Sequence, residues 1–284
     1  MEYLRLNNGV MLPLAGFGTF KIVTQKECTV CVADAYEAGY RLFDTAQYYG
    51  NEEQLGRAIR DIGLKREELF LTTKAWFLNY DSCRASILES MRKLNTDYLD
   101  LALLHWPFGD VFAAWRDLEK LYEDGLVRAI GVANFSPARL MDLIRFNEIK
   151  PALNQIEVHL FCQRQKELPW YAKYGVTPQA YAPLGQGKIN SMFTEDAVQK
   201  AAASHGKTPA QIALRFLTQQ GIAVIPKSSD PKRRRENLAV FDFELTHEEM
   251  SALRLLDKAA PIVGKPEEPE KAEVALSWPQ VARP

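Results

Sequence analysis

The sequence predicts one (β/α)8 TIM barrel, an α/β fold with an N-terminal β-hairpin ahead of it and an irregular C-terminal segment from about residue 258 to 284. Three observations carry that expectation. Eight short β-rich runs end at Phe17, Phe43, Thr73, Leu104, Val132, Glu157, Tyr181 and Ile225, at spacings of 26, 30, 31, 28, 25, 24 and 44 residues. Most of these match one βα unit, in which a parallel strand returns through a crossover that is usually helical. The segments between them read as amphipathic helices, and 284 residues with 47% apolar side chains form one large core as readily as two ordinary ones. Barrels of this kind routinely use about 250 residues as a single domain.

The elements follow in order. Asn7-Asn8-Gly9 lies between alternating Leu4, Leu6, Val10 and Leu12, which is a hairpin signal. The first strand is expected at Leu14–Phe17. Apolar Cys28, Val32, Ala35 and Tyr36 recur near the helical period, and Gly39 supplies a stop. Leu42–Phe43 is the second strand. Asn51 before Glu52 and Glu53 reads as an N-cap with acidic residues in the first turn. Strands follow at Phe70–Thr73, Leu99–Leu104, Ala129–Val132, Leu153–Glu157, Thr177–Tyr181 and Ile222–Ile225. Ser136-Pro137 and Asp230-Pro231 each read as an N-cap followed by proline at the first helical position. The 44-residue gap before the last strand has room for an extra helix. After about Asp257, Pro261, Pro266, Pro269, Pro279 and Pro284 mix with Lys and Glu, which predicts an irregular tail rather than a second domain.

Charge and composition exclude several functions. Thirty-five basic residues against thirty-six acidic ones give a net charge of −1, without the cationic surplus that nucleic-acid binding needs. Met1–Val10 has no apolar run of the signal-peptide kind, and no stretch approaches a membrane span. Four cysteines make no disulfide framework in a chain of this size. A cytoplasmic protein is expected.

In such a barrel the C-terminal ends of the strands face the active site. Asp44, Lys74, His105, Asn134 and Gln155 are polar residues ending apolar runs, and Tyr49 follows Asp44 in the next loop. A carboxylate, an ammonium, an imidazole and a phenol at one mouth suit proton transfer coupled to reduction. A phenol has a reference pKa of about 10. A nearby ammonium is expected to lower it, and a carboxylate to keep that ammonium charged. The phenol can then protonate a carbonyl oxygen as charge develops there, with the histidine orienting that oxygen. Chemistry alone leaves Tyr48 and Tyr49 both able to play the donor.

Phe43-Asp44-Thr45-Ala46-Gln47-Tyr48-Tyr49-Gly50-Asn51-Glu52 resembles the aldo-keto reductase signature, D-T-A followed by Y-G-N-E. Leu104–Pro107, Ile130–Phe135 and Ile225–Ser228 resemble three further blocks of that family in the expected order. The likeness spans roughly Leu4 to Asp257, and the short connection from Trp106 to Ala114 is similar to bacterial members. It implies NADPH-dependent reduction of an aldehyde or ketone on a TIM barrel, with Asp44, Tyr49, Lys74 and His105 as the catalytic set. It selects Tyr49 over Tyr48. The resemblance also implies that Thr19 and Asp44 lie near the nicotinamide ribose, that Asn134 and Gln155 hold the carboxamide, and that Tyr181 stacks on the ring. Lys227, Ser228 and Arg233 correspond to residues gripping the 2′-phosphate, and Glu236 and Asn237 to adenine contacts. An always-charged guanidinium, an ammonium and a helix N-terminus suit a phosphate dianion, so NADPH is expected over NADH. Two departures stand out. Ala133 and Ala182 replace common serines, and the carboxamide hydrogen bond missing at Ala133 costs about 0.5–1.5 kcal/mol.

Phe20, Trp76, Trp106 and Phe108 follow strand ends and, with His105, are expected to line an apolar or amphipathic substrate pocket. His159, His205 and His247 lack metal-ligand spacing, so no metal is expected. Cys28-Thr-Val-Cys31 has redox-pair spacing but sits in a helix-period stretch, where core packing is the simpler reading. Neither Gly16-Phe-Gly18 nor Gly185-Gln-Gly187 is a dinucleotide fingerprint. In Lys232–Arg235, Arg233 is assigned to phosphate, and Arg234 and Arg235 to solvent. The expected partner is a small-molecule carbonyl, with no nucleic acid or membrane, and the protein is expected to be a monomer. Two alternatives stay open: a cofactor-sensing regulatory subunit of the same fold, and the same enzyme acting mainly as an alcohol dehydrogenase.

Overall fold

A computed structural model describes residues 2–278. Eight parallel strands form one sheet in chain order: β3 (Gly16–Gly18), β4 (Leu42–Asp44), β5 (Phe70–Ala75), β6 (Leu101–Leu104), β7 (Ile130–Ala133), β8 (Leu153–Glu157), β9 (Thr177–Tyr181) and β10 (Ala223–Val224). The two edges meet through a parallel bridge between Ala15 and Val224, with Val224 N donating to Leu14 O at 2.9 Å and Gly18 N to Pro226 O at 3.2 Å. That closure converts an open sheet into a barrel and removes its exposed edges. It also explains Gly18, where an added Cβ would sit 2.9 Å from the backbone oxygen of Ile225.

Ahead of the barrel, β1 (Tyr3–Arg5) and β2 (Met11–Pro13) pair antiparallel around the Asn7-Asn8-Gly9 turn, with Gly9 at φ +89°. Asn7 Nδ2 donates to Pro151 O and Asn8 Nδ2 to Arg128 O, both at 2.9 Å. These acceptors precede β8 and β7, so the hairpin plugs the N-terminal end of the barrel. A cavity of about 1130 Å³ opens at that same end, lined by Arg5, Thr177, Ile222 and Met250 among others.

The core has two layers because side chains alternate along each strand. Leu42, Phe70, Leu101, Leu103, Leu153 and Ala223 pack together inside the barrel with Leu12 and Leu14. Phe43, Leu71, Ala102, Leu104 and Val224 face outward against the helices. Gly39, Ser136 and Asp230 stop or cap their helices as the sequence signals. α1 (Gln25–Ala38) is capped by Thr24 and stopped by Gly39 at φ +110°. α5 (Pro137–Arg145) is capped by Ser136, and α9 (Pro231–Leu238) by Asp230, whose side chain accepts from Lys232 N and Arg233 N. The long gap before β10 holds the extra helix as α7 (Asp196–His205), ahead of α8 (Pro209–Thr218).

Two expectations need correction. Asn51 occupies the N-cap position of α2 (Glu52–Ile62) without capping it. Its buried amide instead accepts from Thr45 Oγ1 at 2.7 Å and donates to Thr19 O at 2.9 Å and Ile22 O at 2.8 Å, tying the loop after β3 to the loop after β4. The C-terminal segment is also less irregular than its prolines suggest. It contains α11 (Pro269–Leu276), because Pro269 falls at the first helical position, where its missing N–H costs nothing. Pro279 and Pro284 lie outside the described residues. The segment is anchored where Glu157 accepts from Val263 N at 2.9 Å, and also from Ile262 N.

Candidate active site

Strand alternation places the mouth residues. Asp44 continues the inward series of Leu42, Lys74 that of Phe70 and Thr72, His105 that of Leu101 and Leu103, and Gln155 that of Leu153. The register sets Asp44 beside Thr72 and Lys74 beside Leu103, so Lys74 stands one inward position beyond Asp44, and His105 one beyond Lys74. Tyr49 arrives on a 3₁₀ turn, Gln47–Tyr49, which Gly50 ends at φ +64°.

The four expected catalytic residues come together. Lys74 Nζ donates to Asp44 Oδ1 at 2.6 Å, to Thr45 O at 2.8 Å and to Tyr49 Oη at 3.4 Å. The Asp44 and Lys74 side chains are 1% and 0% exposed, so their contact is a fully buried ion pair. Gln155 Nε2 holds the other Asp44 oxygen at 2.8 Å. The His105 ring lies 5.8 Å from that of Tyr49 in an edge-on arrangement, and its Nδ1 is buried without a partner.

The electrostatics correct one expectation. Burial, with the nearby Asp44 charge second, pushes the Tyr49 phenol well above its ordinary pKa. Lys74 does not reverse this, because Asp44 balances its charge across 2.6 Å and desolvation of the phenolate remains. Burial raises the Asp44 carboxyl and lowers the Lys74 ammonium, each opposed by the attraction of the other. Burial and then the Lys74 charge hold His105 well below the usual imidazole range, which leaves it neutral at pH 7. The mouth therefore offers a neutral phenol and a neutral imidazole beside a buried ion pair.

The expected cofactor contacts share that end of the barrel. Thr19 Oγ1 donates to Asp44 O at 2.9 Å. Asn134 adopts φ +64° directly after β7, and its amide bridges His105 O at 3.0 Å and the Tyr181 hydroxyl at 2.8 Å. Ala133 is buried and Ala182 sits at φ +49°. Lys227 and Arg233 are exposed, and Ser228 and Asn237 are buried. Lys227 Nζ donates to Ser229 Oγ at 2.6 Å, and Glu236 pairs with Lys232 at 3.8 Å. Arg235 is exposed as expected, whereas Arg234 is buried at 1% exposure. The reason is its ion pair with Asp34 of α1, which draws the guanidinium inward.

The expected pocket aromatics form a wall. Phe20 lies 4.9 Å from Tyr49, Trp76 5.3 Å from His105, and Trp106 stacks on Phe108 at 5.9 Å. Sequence reasoning set one member of the site aside, Tyr48, and missed two, Gln179 and Trp278. Tyr48 stacks on Trp76 at 4.3 Å, although no periodicity separates it from Tyr49. Gln179 is fully buried beside Gln155 at 2.8 Å, with its Nε2 lacking a partner. The two-residue step to Tyr181 along β9 could have revealed it. Trp278 closes over the mouth, 5.9 Å from Trp76 and 5.2 Å from Trp106, and no local pattern so far along the chain could have revealed it.

Among the described residues, no group of three or more His, Cys, Asp or Glu could hold a metal ion, and no helix is long and apolar enough to cross a membrane. Glu157 contacts His159 at 3.1 Å, and Glu249 contacts His205 at 2.8 Å. Cys28 and Cys31 are free and buried in α1.

A (β/α)8 barrel with an acid–base cluster at its mouth defines the class of this protein, a barrel enzyme. The chain belongs to the Aldo/keto reductase family, whose profile matches residues 15–258, and it is an oxidoreductase. It is 42% identical over 271 residues to the glyoxal reductase of Bacillus subtilis (strain 168), covering 94% of this chain and 97% of that protein. The methylglyoxal reductase DkgA of Escherichia coli (strain K12) is 37% identical over 258 residues, covering 90% and 93%. A crystal structure of an aldo-keto reductase enzyme from a Medee basin deep-sea metagenome library matches with a TM-score of 0.90 and 39% identity, over 93% of this chain and 98% of that one.

Proposed function

We propose that this protein reduces a small aldehyde or ketone to the alcohol, with NADPH as hydride donor and Tyr49 as proton donor. The observation that carries the reading is the chain of contacts from Asp44 through Lys74 Nζ to the Tyr49 hydroxyl. Names of relatives, glyoxal reductase and methylglyoxal reductase, favour a short α-oxoaldehyde as substrate.

The residues present fit a phosphorylated dinucleotide. The orphaned Gln179 Nε2 is an unused buried donor at the mouth end of β9, and the exposed Lys227 and Arg233 flank the N-terminus of α9. Lys227, Ser228 and Arg233 would hold the 2′-phosphate, Glu236 and Asn237 the adenine, and Asn134, Gln155 and Tyr181 the nicotinamide, with Thr19 and Asp44 near its ribose. When bound, the reduced nicotinamide supplies the hydride.

The protein side of the chemistry follows from the contacts. A phenol whose pKa is raised stays protonated at neutral pH and is ready to give its proton as an alkoxide forms. The Lys74 ammonium beside the phenol oxygen stabilises the phenolate left behind, and Asp44 keeps that ammonium fixed and charged. A neutral His105 can donate to the carbonyl oxygen without taking the proton itself. The aromatic wall of Tyr48, Trp76, Trp106 and Trp278 excludes water from the reacting carbonyl.

The test is NADPH oxidation against aldehydes, α-dicarbonyls, keto-sugars and ketosteroids, repeated with NADH. Turnover of a small carbonyl with preference for NADPH is expected. No turnover across the panel, with NADPH still bound, would instead support the regulatory-subunit alternative.

A further inference from the structure

Arg234 is the least expected residue near the proposed phosphate grip. Its neighbours Lys232, Arg233 and Arg235 are exposed, but its own side chain is buried. Nη1 donates to Ser228 O at 3.0 Å and to Cys31 Sγ at 3.3 Å, and Nη2 pairs with the Asp34 carboxylate of α1. Nε has no partner, and the Arg234 carbonyl accepts from the buried Tyr40 hydroxyl at 3.1 Å.

A buried guanidinium is a poor way to gain stability. Desolvation costs several kcal/mol, and apolar residues of similar volume often do as well or better. What an apolar side chain cannot do is hold the Ser228 carbonyl. That carbonyl belongs to a loop pinned at several points: Ser228 Oγ accepts from Asp230 N at 3.1 Å, Asp230 caps α9, and Ser229 Oγ donates to Glu27 of α1 at 3.0 Å. Arg234 is the side chain that reaches from α9 both to this loop and to α1.

We infer that Arg234 is a positioning residue for recognition of a phosphate monoester. By clamping Ser228 O and Asp34 together it fixes the loop Lys227–Asp230 against α1, so that Lys227, Ser228 and Arg233 converge on the ligand's 2′-phosphate. Arg234 itself does not touch the ligand. This rests on the reading that the cluster takes the 2′-phosphate of NADPH.

The experiment is calorimetric titration of the full chain with NADPH and with NADH, for wild type, Arg233→Ala, Arg234→Met and Arg234→Lys, alongside kcat at saturating NADPH. Arg234→Met is expected to raise the NADPH Kd about tenfold, the scale of one hydrogen bond in a charged cradle, while the NADH Kd stays within about twofold. Turnover at saturating NADPH should persist, with the KM for NADPH rising in step with its Kd. Arg234→Lys keeps the charge but loses the fork, so its NADPH-to-NADH affinity ratio should fall by a smaller factor. If Arg234→Met does not fold, the lysine variant decides the matter. A merely structural role would weaken both nucleotides together or leave both unchanged, and an unaltered ratio overturns the inference. Loss of the ratio in Arg233→Ala but not at position 234 overturns the role of Arg234 alone. A wild type without NADPH preference, or an Arg233→Ala that retains it, overturns the phosphate reading and this inference with it.

Discussion

Removing Lys74 puts the electrostatic account under its severest load. In Lys74→Met the Asp44 carboxylate loses a partner at 2.6 Å while remaining almost wholly inaccessible to water, with Gln155 as its other side-chain contact. Breaking a buried pair by deleting one member costs about 3–5 kcal/mol, a large share of the roughly 5–15 kcal/mol that holds a domain together. Asp44 can escape the penalty by taking a proton, and its carboxyl is already raised by burial. The variant's native state then binds a proton that its unfolded state releases above the ordinary carboxylate pKa of 3.8. Stability must therefore fall as pH rises, by up to about 1.4 kcal/mol per unit, until the proton is lost in the native state too. Urea unfolding of wild type, Lys74→Met and Asp44→Asn/Lys74→Met between pH 5 and pH 8 reads this directly. The single variant should recover stability at acid pH relative to wild type, and the double variant should be more stable than the single one at pH 8. A penalty independent of pH, or a double variant no better than the single, would refute the reasoning.

Three further predictions rest on separate features. Because His105 is held below its ordinary pKa of 6.5, the unfolded chain takes up a proton below that pH that the native state refuses. Wild type should therefore lose stability relative to His105→Gln as pH falls below about 6.5, and a pH-independent difference in urea midpoints would contradict the neutral imidazole. Gly131→Ala would place a Cβ 2.6 Å from Leu153 O and 2.8 Å from Leu103 Cδ2 inside the barrel. It should cost about 1–3 kcal/mol by overpacking, read as a lower urea midpoint at unchanged slope. Trp278→Ala should raise turnover of bulky aromatic ketones relative to small dicarbonyls by opening the mouth, and an unchanged ratio would show that this ring does not bound the pocket.

Much of the site was legible because alternation along a strand is a strict rule. Once Leu42, Phe70, Leu103 and Leu153 are read as interior, Asp44, Lys74, His105 and Gln155 must point into the mouth. Tyr49 was legible through its neighbours in the signature rather than through any period. Residues with alternative uses were not. Asn51 has the sequence of a cap, yet three buried partners compete for its amide. Arg234 has the sequence of a solvated charge, and Asp34, 200 positions away, together with the Ser228 carbonyl turns it inward. The raised phenol pKa could not be read from a list of nearby charges, because it depends on how completely water is removed.

The measurement closest to the central claim is single-turnover hydride transfer from NADPH to methylglyoxal in Tyr49→Phe and in Tyr48→Phe, with the NADPH affinity of each. If the Tyr49 hydroxyl supplies the proton, Tyr49→Phe binds NADPH as wild type does but transfers hydride at least about 10²-fold more slowly, the scale of a lost general acid. Tyr48→Phe should keep its rate within a few-fold. Hydride transfer at the wild-type rate in Tyr49→Phe, or its loss only in Tyr48→Phe, would contradict the account.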